Sequence, residues 1–320
     1  VLSHLILVKV PNRITLGGGS SDLQCYYRKF GGFVVTVAID RFIYVLVKDR
    51  FESSIRASYS TTEIVDKVSD LKHPAIREGL KLLDLKDHLE IVSAADMPSE
   101  TGLGSSGSFA VGLLTALHGF KGEHPSRLAL AEESTNLTMT LLKEPCGCQD
   151  TYIAALGGFQ CLEIGKDGQV KFSPLNIKAE TVRELEHNLL FFYTGLKRCA
   201  NTVLKSHRAE DDYLLRVGLG VKETLERGKL EAFAQLQNCH WNAKKMACPE
   251  VSNPQIDRWI KLGLDNGALG AKLTGAGGGG FLTFYCENGK DRLRKVMAGE
   301  GLKEVCFGLG LEGSKVIIDL

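Results

Sequence analysis

Pro98-Ser99-Glu100-Thr101-Gly102-Leu103-Gly104-Ser105-Ser106-Gly107-Ser108-Phe109-Ala110 is the stretch whose reading decides the fold. It follows an alternating apolar run, His88 to Ala94, that reads as a strand. It precedes Val111 to Phe120, which reads as a buried helix. Three glycines and three serines therefore stand where a loop enters a helix. Glycine lets backbone N–H groups approach a ligand, and the first helical turn offers unpaired donors at a positive dipole end. That combination suits phosphate. The hydroxyls of Ser105, Ser106 and Ser108 add donors for phosphate oxygens, or ligands for magnesium. Gly102, Gly104 and Gly107 also fit the dinucleotide fingerprint G-x-G-x-x-G, with Glu123 about twenty residues on. That alternative fails on context: Asp96 to Thr101 separate the strand from the glycines, and Glu123 falls in a polar loop. No G-x-x-x-x-G-K-[ST] occurs anywhere. A helix start that bound nothing would be weakened by this much glycine without any packing gain.

The rest of the composition narrows the class. At 320 residues the chain exceeds the usual single-domain size, so two domains are expected. Lys+Arg 39 against Asp+Glu 38 leaves a formal charge of +1, which points to neither nucleic acid nor a membrane surface. Hydrophobic content of 44% and charged content of 24% are those of an ordinary globular protein. No apolar run is long enough for a transmembrane helix. Leu2 to Val10 lacks a basic lead and a cleavage site, and reads as a first strand and not as a signal peptide. Nine cysteines without paired zinc spacings fit free thiols in a reducing cytoplasm, Cys146-Gly-Cys148 being the nearest to a metal pair.

Outward from the glycine loop, further motifs appear. Leu5 to Val10 reads as a strand ending at Pro11-Asn12-Arg13, followed by Gly17-Gly18-Gly19-Ser20-Ser21-Asp22. A carboxylate beside an open glycine backbone can hold a polyol. Phe33 to Ile39 and Phe42 to Val47 read as paired strands around Asp40-Arg41. Ser58 to Lys67 is polar, a loop over the nucleotide side. His73 to Leu85 and Ser126 to Leu142 read as helices, the latter with a Ser126 cap. Glu144-Pro145-Cys146-Gly147-Cys148-Gln149-Asp150 leads to Gly157-Gly158, and a hairpin is expected around Lys166-Asp167-Gly168. Leu189 to Tyr193 is a strand ending in Thr194-Gly195-Leu196-Lys197-Arg198, whose basic pair can hold a sugar phosphate or simply face solvent. Leu214 to Leu230, Leu230 to Lys245 and Pro254 to Asn266 read as helices, with Trp241 and Met246 assigned to the core. Lys272-Leu-Thr-Gly275-Ala276-Gly277-Gly278-Gly279-Gly280 then precedes the strand Leu282 to Cys286. Leu293 to Gly301 and Cys306 to Leu311 are expected as a helix and a strand.

Pro98 to Ser108 resembles the nucleotide loop of the GHMP kinases, Pro-x-x-x-Gly-Leu-Gly-Ser-Ser-[Ala/Gly]-[Ser/Ala]. Pro11-Asn12-Arg13 with its glycine turn resembles their first motif, and Lys272 to Gly280 their third. More narrowly, Pro11 to Leu23, Tyr26-Tyr27-Arg28 and Ala38 to Val45 are similar to the branch acting on heptose 7-phosphate. The resemblance implies an α+β, two-domain GHMP kinase fold. Residues 1–175 would form an ATP-binding domain like the second domain of ribosomal protein S5, and 176–320 a ferredoxin-like domain. It implies Asp150 as the acid-base residue, with Arg13 beside it to pair with that carboxylate and stabilise transferring phosphoryl charge. It implies ATP phosphates at Gly102, Leu103, Gly104, Ser105, Ser106, Gly107 and Ser108, with magnesium on Ser106. The substrate would meet Gly18, Gly19, Asp22, Thr194, Gly195, Arg198, Gly275, Ala276 and Gly277.

The sequence departs from the pattern at one position. Galactokinases and heptose kinases carry a magnesium-binding Glu twelve residues before the catalytic Asp, and Thr138 stands there. A hydroxyl is a far weaker ligand for a hard cation. That leaves magnesium to Ser106 and the nucleotide, or to Glu132 or Glu133, or else leaves a weak or inactive kinase that binds nucleotide or sugar. The expected activity is ATP-dependent phosphorylation of D-glycero-D-manno-heptose 7-phosphate at the anomeric oxygen, giving the 1,7-bisphosphate for capsule, S-layer or lipopolysaccharide. A galactose- or fucose-type acceptor is the alternative. Expected partners are a sugar phosphate, ATP and Mg2+, with no nucleic acid or membrane, a cytoplasmic setting, and a homodimer left open.

Overall fold

The computed structural model describes residues 4–196, 204, 208 and 210–320. Two sheets organise them. The first runs β12-β1-β2-β5-β3-β4, with β6 on β2 and β7 on β6. It is built from β1 (Leu5–Gly17), β2 (Gly32–Asp49), β3 (Ile55–Ser58), β4 (Thr62–Val65), β5 (Leu89–Ala95), β6 (Phe159–Ile164), β7 (Val170–Pro174) and β12 (Lys315–Asp319). The second is antiparallel, in the order β11-β8-β10-β9: β8 (Leu189–Tyr193), β9 (Gly270–Leu273), β10 (Phe281–Tyr285) and β11 (Lys303–Val305). This is the mixed helix-and-sheet, two-part architecture expected. The 175/176 division falls between β7 and the helix that precedes β8, while β12 returns to pair with β1.

The helices in chain order are α1 (Gln24–Phe30), α2 (Pro74–Leu82), α3 (Ser105–Phe120), α4 (Arg127–Thr135), α5 (Gln149–Leu156), α6 (Ala179–Asn188), α7 (Tyr213–Glu226), α8 (Leu230–Ala247), α9 (Pro254–Asp265) and α10 (Lys290–Gly299). Among the described residues none is long and apolar enough to cross a membrane. The central helix α3 is apolar almost all round because it is buried almost all round. A Cβ on Gly112 would lie 2.9 Å from Val10 and 3.0 Å from Val45, so glycine there seats the helix tightly on β1 and β2.

The long β1–β2 ladder joins two cores. Ile6, Val8, Val10, Val45 and Val47 pack with α3, whereas Ile14, Leu16, Val35 and Val37 pack with Val217, Val221 and Leu225 of α7. This overturns two expectations. β1 does not stop at Pro11, and β2 is one strand of 18 residues, not a pair turning at Asp40-Arg41. Pro11 pairs with Phe42 and Asn12 with Ile39, which leaves Asp40 and Arg41 as a bulge. Proline has no N–H for the ladder and a bulge is where a strand tolerates one.

Other corrections have local causes. Ser58 to Lys67 is not a loop: it holds the end of β3 and all of β4, paired as a hairpin. After its Ser126 cap, α4 gives way to a π-helical turn over Asn136–Leu141. Cys306 to Leu311 makes only an isolated bridge, Ile39 with Leu309, because Gly308 and Gly310 (φ 78°) interrupt it. The edge strand β12 was hidden because most of its residues face solvent. Trp241 is in the core, but Met246 is 84% exposed at the end of α8.

Candidate active site

The glycine loop carries the chain from β5 into α3. Gly102 (φ 80°) and Gly104 (φ 78°) adopt left-handed backbone that side chains disfavour. They are also hemmed in: a Cβ on Gly102 would lie 2.7 Å from Thr274 O, and one on Gly104 3.0 Å from Arg13 Cγ. On Gly107 it would lie 2.5 Å from Asp150 Cβ. The loop is therefore laid directly on the Arg13–Asp150 pair. Gly102, Gly104, Ser105 and Ser106 border an open cleft of about 640 Å³. The other three loop residues face inward. Leu103 is core, its carbonyl accepting from the Arg13 amide at 2.9 Å, and buried Ser108 donates its hydroxyl to Pro11 O at 2.9 Å.

Arg13, near the end of β1, and Asp150, in the first turn of α5, meet at 2.6 Å through Nε and Oδ1. Arg13 Nη1 also donates to Gly102 O at 2.6 Å, which ties the pair to the loop. Asp22 lies beside them, 1% exposed, accepting from the Gln149 amide (3.2 Å) and Gln149 Nε2 (3.1 Å). Gln149 Oε1 in turn accepts from Thr15 Oγ1 at 2.5 Å. Burial, with the Asp150 charge behind it, pushes the Asp22 pKa up to about 6. Gly147 has to be glycine here, since any Cβ would overlap the Asp22 carboxylate.

For magnesium the donor set can be tested directly. Thr138 is buried in the π-turn and donates to Ser134 O (3.1 Å) and Thr135 O (3.2 Å), so its hydroxyl is occupied by its own helix. Glu133 is paired with His118 Nε2 at 2.7 Å, and Glu132 lines a neighbouring cavity of about 800 Å³. The acid at the loop is instead Glu144, which accepts from Ser106 Oγ at 3.2 Å. Burial raises the Glu144 pKa, and the Asp150 charge raises it further. Ser106, Glu144 and Asp150 thus offer hard oxygens with like charges that a cation would relieve. No group of three His, Cys, Asp or Glu side chains placed to hold a metal ion occurs among the described residues. That donor set fits magnesium, which typically takes one or two carboxylates and completes its shell with water and substrate phosphates.

The third glycine run closes the cleft from the second sheet. Gly275 (φ 67°) rests on Gly102, backbone to backbone, and with Ala276 borders the cleft. Gly277 packs against Val251 instead. Thr194 gives its hydroxyl to Gly280 O at 2.8 Å, and among the described residues no atom lies within 4 Å of where a Cβ on Gly195 (φ 71°) would stand. Gly18 (φ 71°) is pressed on Phe33 O, while Gly19 and Asp22 reach the cleft. Arg198, with Lys197, lies outside the described residues. A less polar arm of the cleft, with Ile43, Tyr59, His73, Met97 and Phe109, has the shape and chemistry for a flat base.

Sequence reading had missed Gln149, Glu144, His240 and Lys244, and had not weighed Lys272 as a site cation. His240 Nε2 lies 3.2 Å from Gly19 O, Lys244 Nζ donates to Gly275 O at 2.5 Å, and Lys272 Nζ to Thr15 O and Leu16 O at 2.7 and 3.0 Å. A signal existed: Gln237, His240 and Lys244 recur at helical spacing on the buried face of α8, where polar residues need a reason.

Comparison with known proteins agrees with this geometry. The family model described as "GHMP kinases N terminal domain" matches residues 70–158, and "GHMP kinases C terminal" matches 221–298. The D-glycero-alpha-D-manno-heptose 7-phosphate kinase of Campylobacter jejuni is 28% identical over 303 residues, covering 88% of this chain and 89% of that protein. The galactokinase of Pyrococcus furiosus is 25% identical, covering 86% and 87%. A D-glycero-D-manno-heptose 1-phosphate kinase structure from Bacteroides thetaiotaomicron superposes with a TM-score of 0.81 at 20% identity, over 98% of this chain and 99% of that one. With both family domains in order and a phosphate loop laid against an Arg–Asp pair, the chain belongs to the GHMP kinases, ATP-dependent phosphotransferases.

Proposed function

We propose that this sugar kinase transfers the γ-phosphoryl of ATP to the anomeric hydroxyl of D-glycero-D-manno-heptose 7-phosphate, giving the 1,7-bisphosphate for activated heptose. The observation that carries the reading is the contact of Gly104 and Gly107 with the Arg13–Asp150 pair, which puts a carboxylate within reach of phosphate held on the loop. Gly102, Gly104, Ser105 and Ser106 hold the phosphates through backbone donors and hydroxyls, and the apolar arm holds the base. Asp150 Oδ orients the attacking hydroxyl and takes its proton, while Arg13 fixes that carboxylate and offers positive charge to the transferring group. Asp22, steadied by Gln149, accepts from sugar hydroxyls. Ser106, Glu144 and Asp150 would hold magnesium, which when bound neutralises phosphate charge. The choice of heptose 7-phosphate rests on the Campylobacter jejuni relative and on the heptose-like motifs around Pro11 to Leu23.

The test is ATP consumption with magnesium across heptose 7-phosphate, mannose, galactose and fucose. Turnover is expected with the heptose phosphate, and Asp150→Asn should lower it by about 10²–10⁴-fold with the fold intact. Preference for galactose or fucose would keep the family chemistry and remove this acceptor. No turnover with any sugar would leave a binding protein.

A further inference from the structure

Lys244 and Lys272 stand in the cleft wall made by α8 and β9, 4% and 3% exposed. Neither forms an ion pair among the described residues. An ammonium has three N–H groups to place. Lys244 gives one to Gly275 O, and Lys272 gives two, to Thr15 O and Leu16 O. Every acceptor is a neutral carbonyl. Three N–H groups are thus left at the wall, two on Lys244 and one on Lys272, whose pKa burial and the Lys244 and Arg13 charges lower well below the ordinary value. Burying cations without a counter-charge is costly, and a native site keeps such charges where a ligand completes them. Among the neighbours, the His240 pKa is lowered by burial and by both lysines, Arg13 is paired with Asp150, and Asp22, whose charge favours the Lys244 ammonium, is hydrogen-bonded to Gln149 and makes no ion pair with either lysine. Burial pulls the Lys244 pKa down to about 8, with the Arg13 charge adding to it. It stays protonated at neutral pH, and the more firmly once an anion arrives.

We propose that Lys244 is the direct contact for a phosphate that the sugar acceptor already carries, with the Lys272 N–H groups behind it. The site thereby selects phosphorylated sugars over neutral ones. The inference rests on the sugar-kinase reading above and deepens it by naming what discriminates the acceptor. In this reading the phosphoryl donor is held on the loop before α3, whereas Lys244 reaches the same cleft from α8 and is tied to the third glycine run. The role falls to side chains on a rigid helix and strand, which hold a charge more firmly in place than a loop does.

The experiment compares D-glycero-D-manno-heptose 7-phosphate with unphosphorylated D-glycero-D-manno-heptose, using wild type, Lys244→Met and Lys244→Arg. Wild type should prefer the phosphate by about 30-fold or more in kcat/KM, the scale of truncating one partner of a buried charge pair. Lys244→Met should lose that preference through KM, costing the phosphorylated sugar at least about 10-fold more than the neutral one, and Lys244→Arg should recover part of it. Without nucleotide, the heptose phosphate should raise the melting temperature of wild type and not of Lys244→Met. Equal losses on both sugars, no preference in wild type, or no thermal shift in wild type would overturn the proposal. The last two hold even if Lys244→Met fails to fold. Failure of every sugar to stimulate ATP consumption would overturn the sugar-kinase reading and this inference together. Turnover without phosphate preference overturns only the latter.

Discussion

The two glycine-rich segments of the cleft look alike in sequence and behave differently in the fold. Gly102 to Gly107 opens onto the cleft and presses on the Arg13–Asp150 pair. Gly277 to Gly280 is consumed in packing. Gly277 meets Val251, Gly278 donates to Val251 O, Gly279 meets Leu196, and Gly280 meets the Thr101 backbone while donating to Leu196 O. The first run lets a ligand approach backbone, and the second lets backbone approach backbone. Glycine content alone marks close approach and does not say of what.

Substitutions can break this contrast. Gly107→Ala should cost the most in activity, about 10²-fold in kcat per folded molecule, because its Cβ displaces Asp150 and the backbone at the start of α5, with a smaller loss of stability. Steady-state kinetics beside a thermal melt would check it, and a melt lowered as far as the rate would sink the distinction. Gly280→Ala (φ 93°, against Thr101 O) should do the reverse, costing about 1–3 kcal/mol of stability with kcat per folded molecule preserved. A denaturant titration measures it. Glu144→Gln should raise the magnesium requirement by about 10-fold with the KM for sugar unchanged, read from a magnesium titration of the rate.

Asp22 sharpens the contrast from the side-chain end. Its folded pKa, about 6, exceeds its ordinary value of 3.8. The stability it contributes is therefore present below about pH 4 and lost as pH rises through 6. Asp22→Asn should then melt no lower than wild type at pH 7 and show a smaller change between pH 4 and 7, while losing sugar affinity. Wild-type affinity should itself fall below pH 6 as the carboxylate protonates. Melting curves across that window, with sugar titrations, decide it. Gly195→Ala is the smallest case. Its φ of 71° lies in open space, so about 1 kcal/mol of stability and no change in either KM is expected.

Much of the fold was legible because its signals are local. The loop before α3, the caps at Ser126 and the hairpin around Asp167 all follow from short-range chemistry. Arg13, Asp22 and Asp150 could be named because each sits in a distinctive motif, and the structure brings them together. What stayed hidden depends on distant partners. The unbroken β2 is held by β1, β5 and β6 along its length, so the polar Asp40-Arg41 step bulges where a free chain would turn. Lys244 drew no reading in His240-Trp-Asn-Ala-Lys244-Lys245: helical spacing groups it with Gln237 and His240, but only the tertiary fold turns that face of α8 into the cleft. Thr138 showed that the usual acid was absent from its position, but not that another acid, Glu144, stands beside Ser106 at the loop.

The return of the last strand to the first sheet shapes how this cleft can move. β12 pairs with β1, and Gly157 bridges Glu312, so the second sheet is spliced into the first by two chain crossings. A lobe tethered once can swivel. One tethered twice is held more firmly, and here Lys272 reaches across to the carbonyls of Thr15 and Leu16 while Ile14, Leu16, Val35 and Val37 share a buried core with Phe191, Phe281 and Tyr285 of the second sheet. The wall that carries Lys272 is thereby fixed to the strand that carries Arg13.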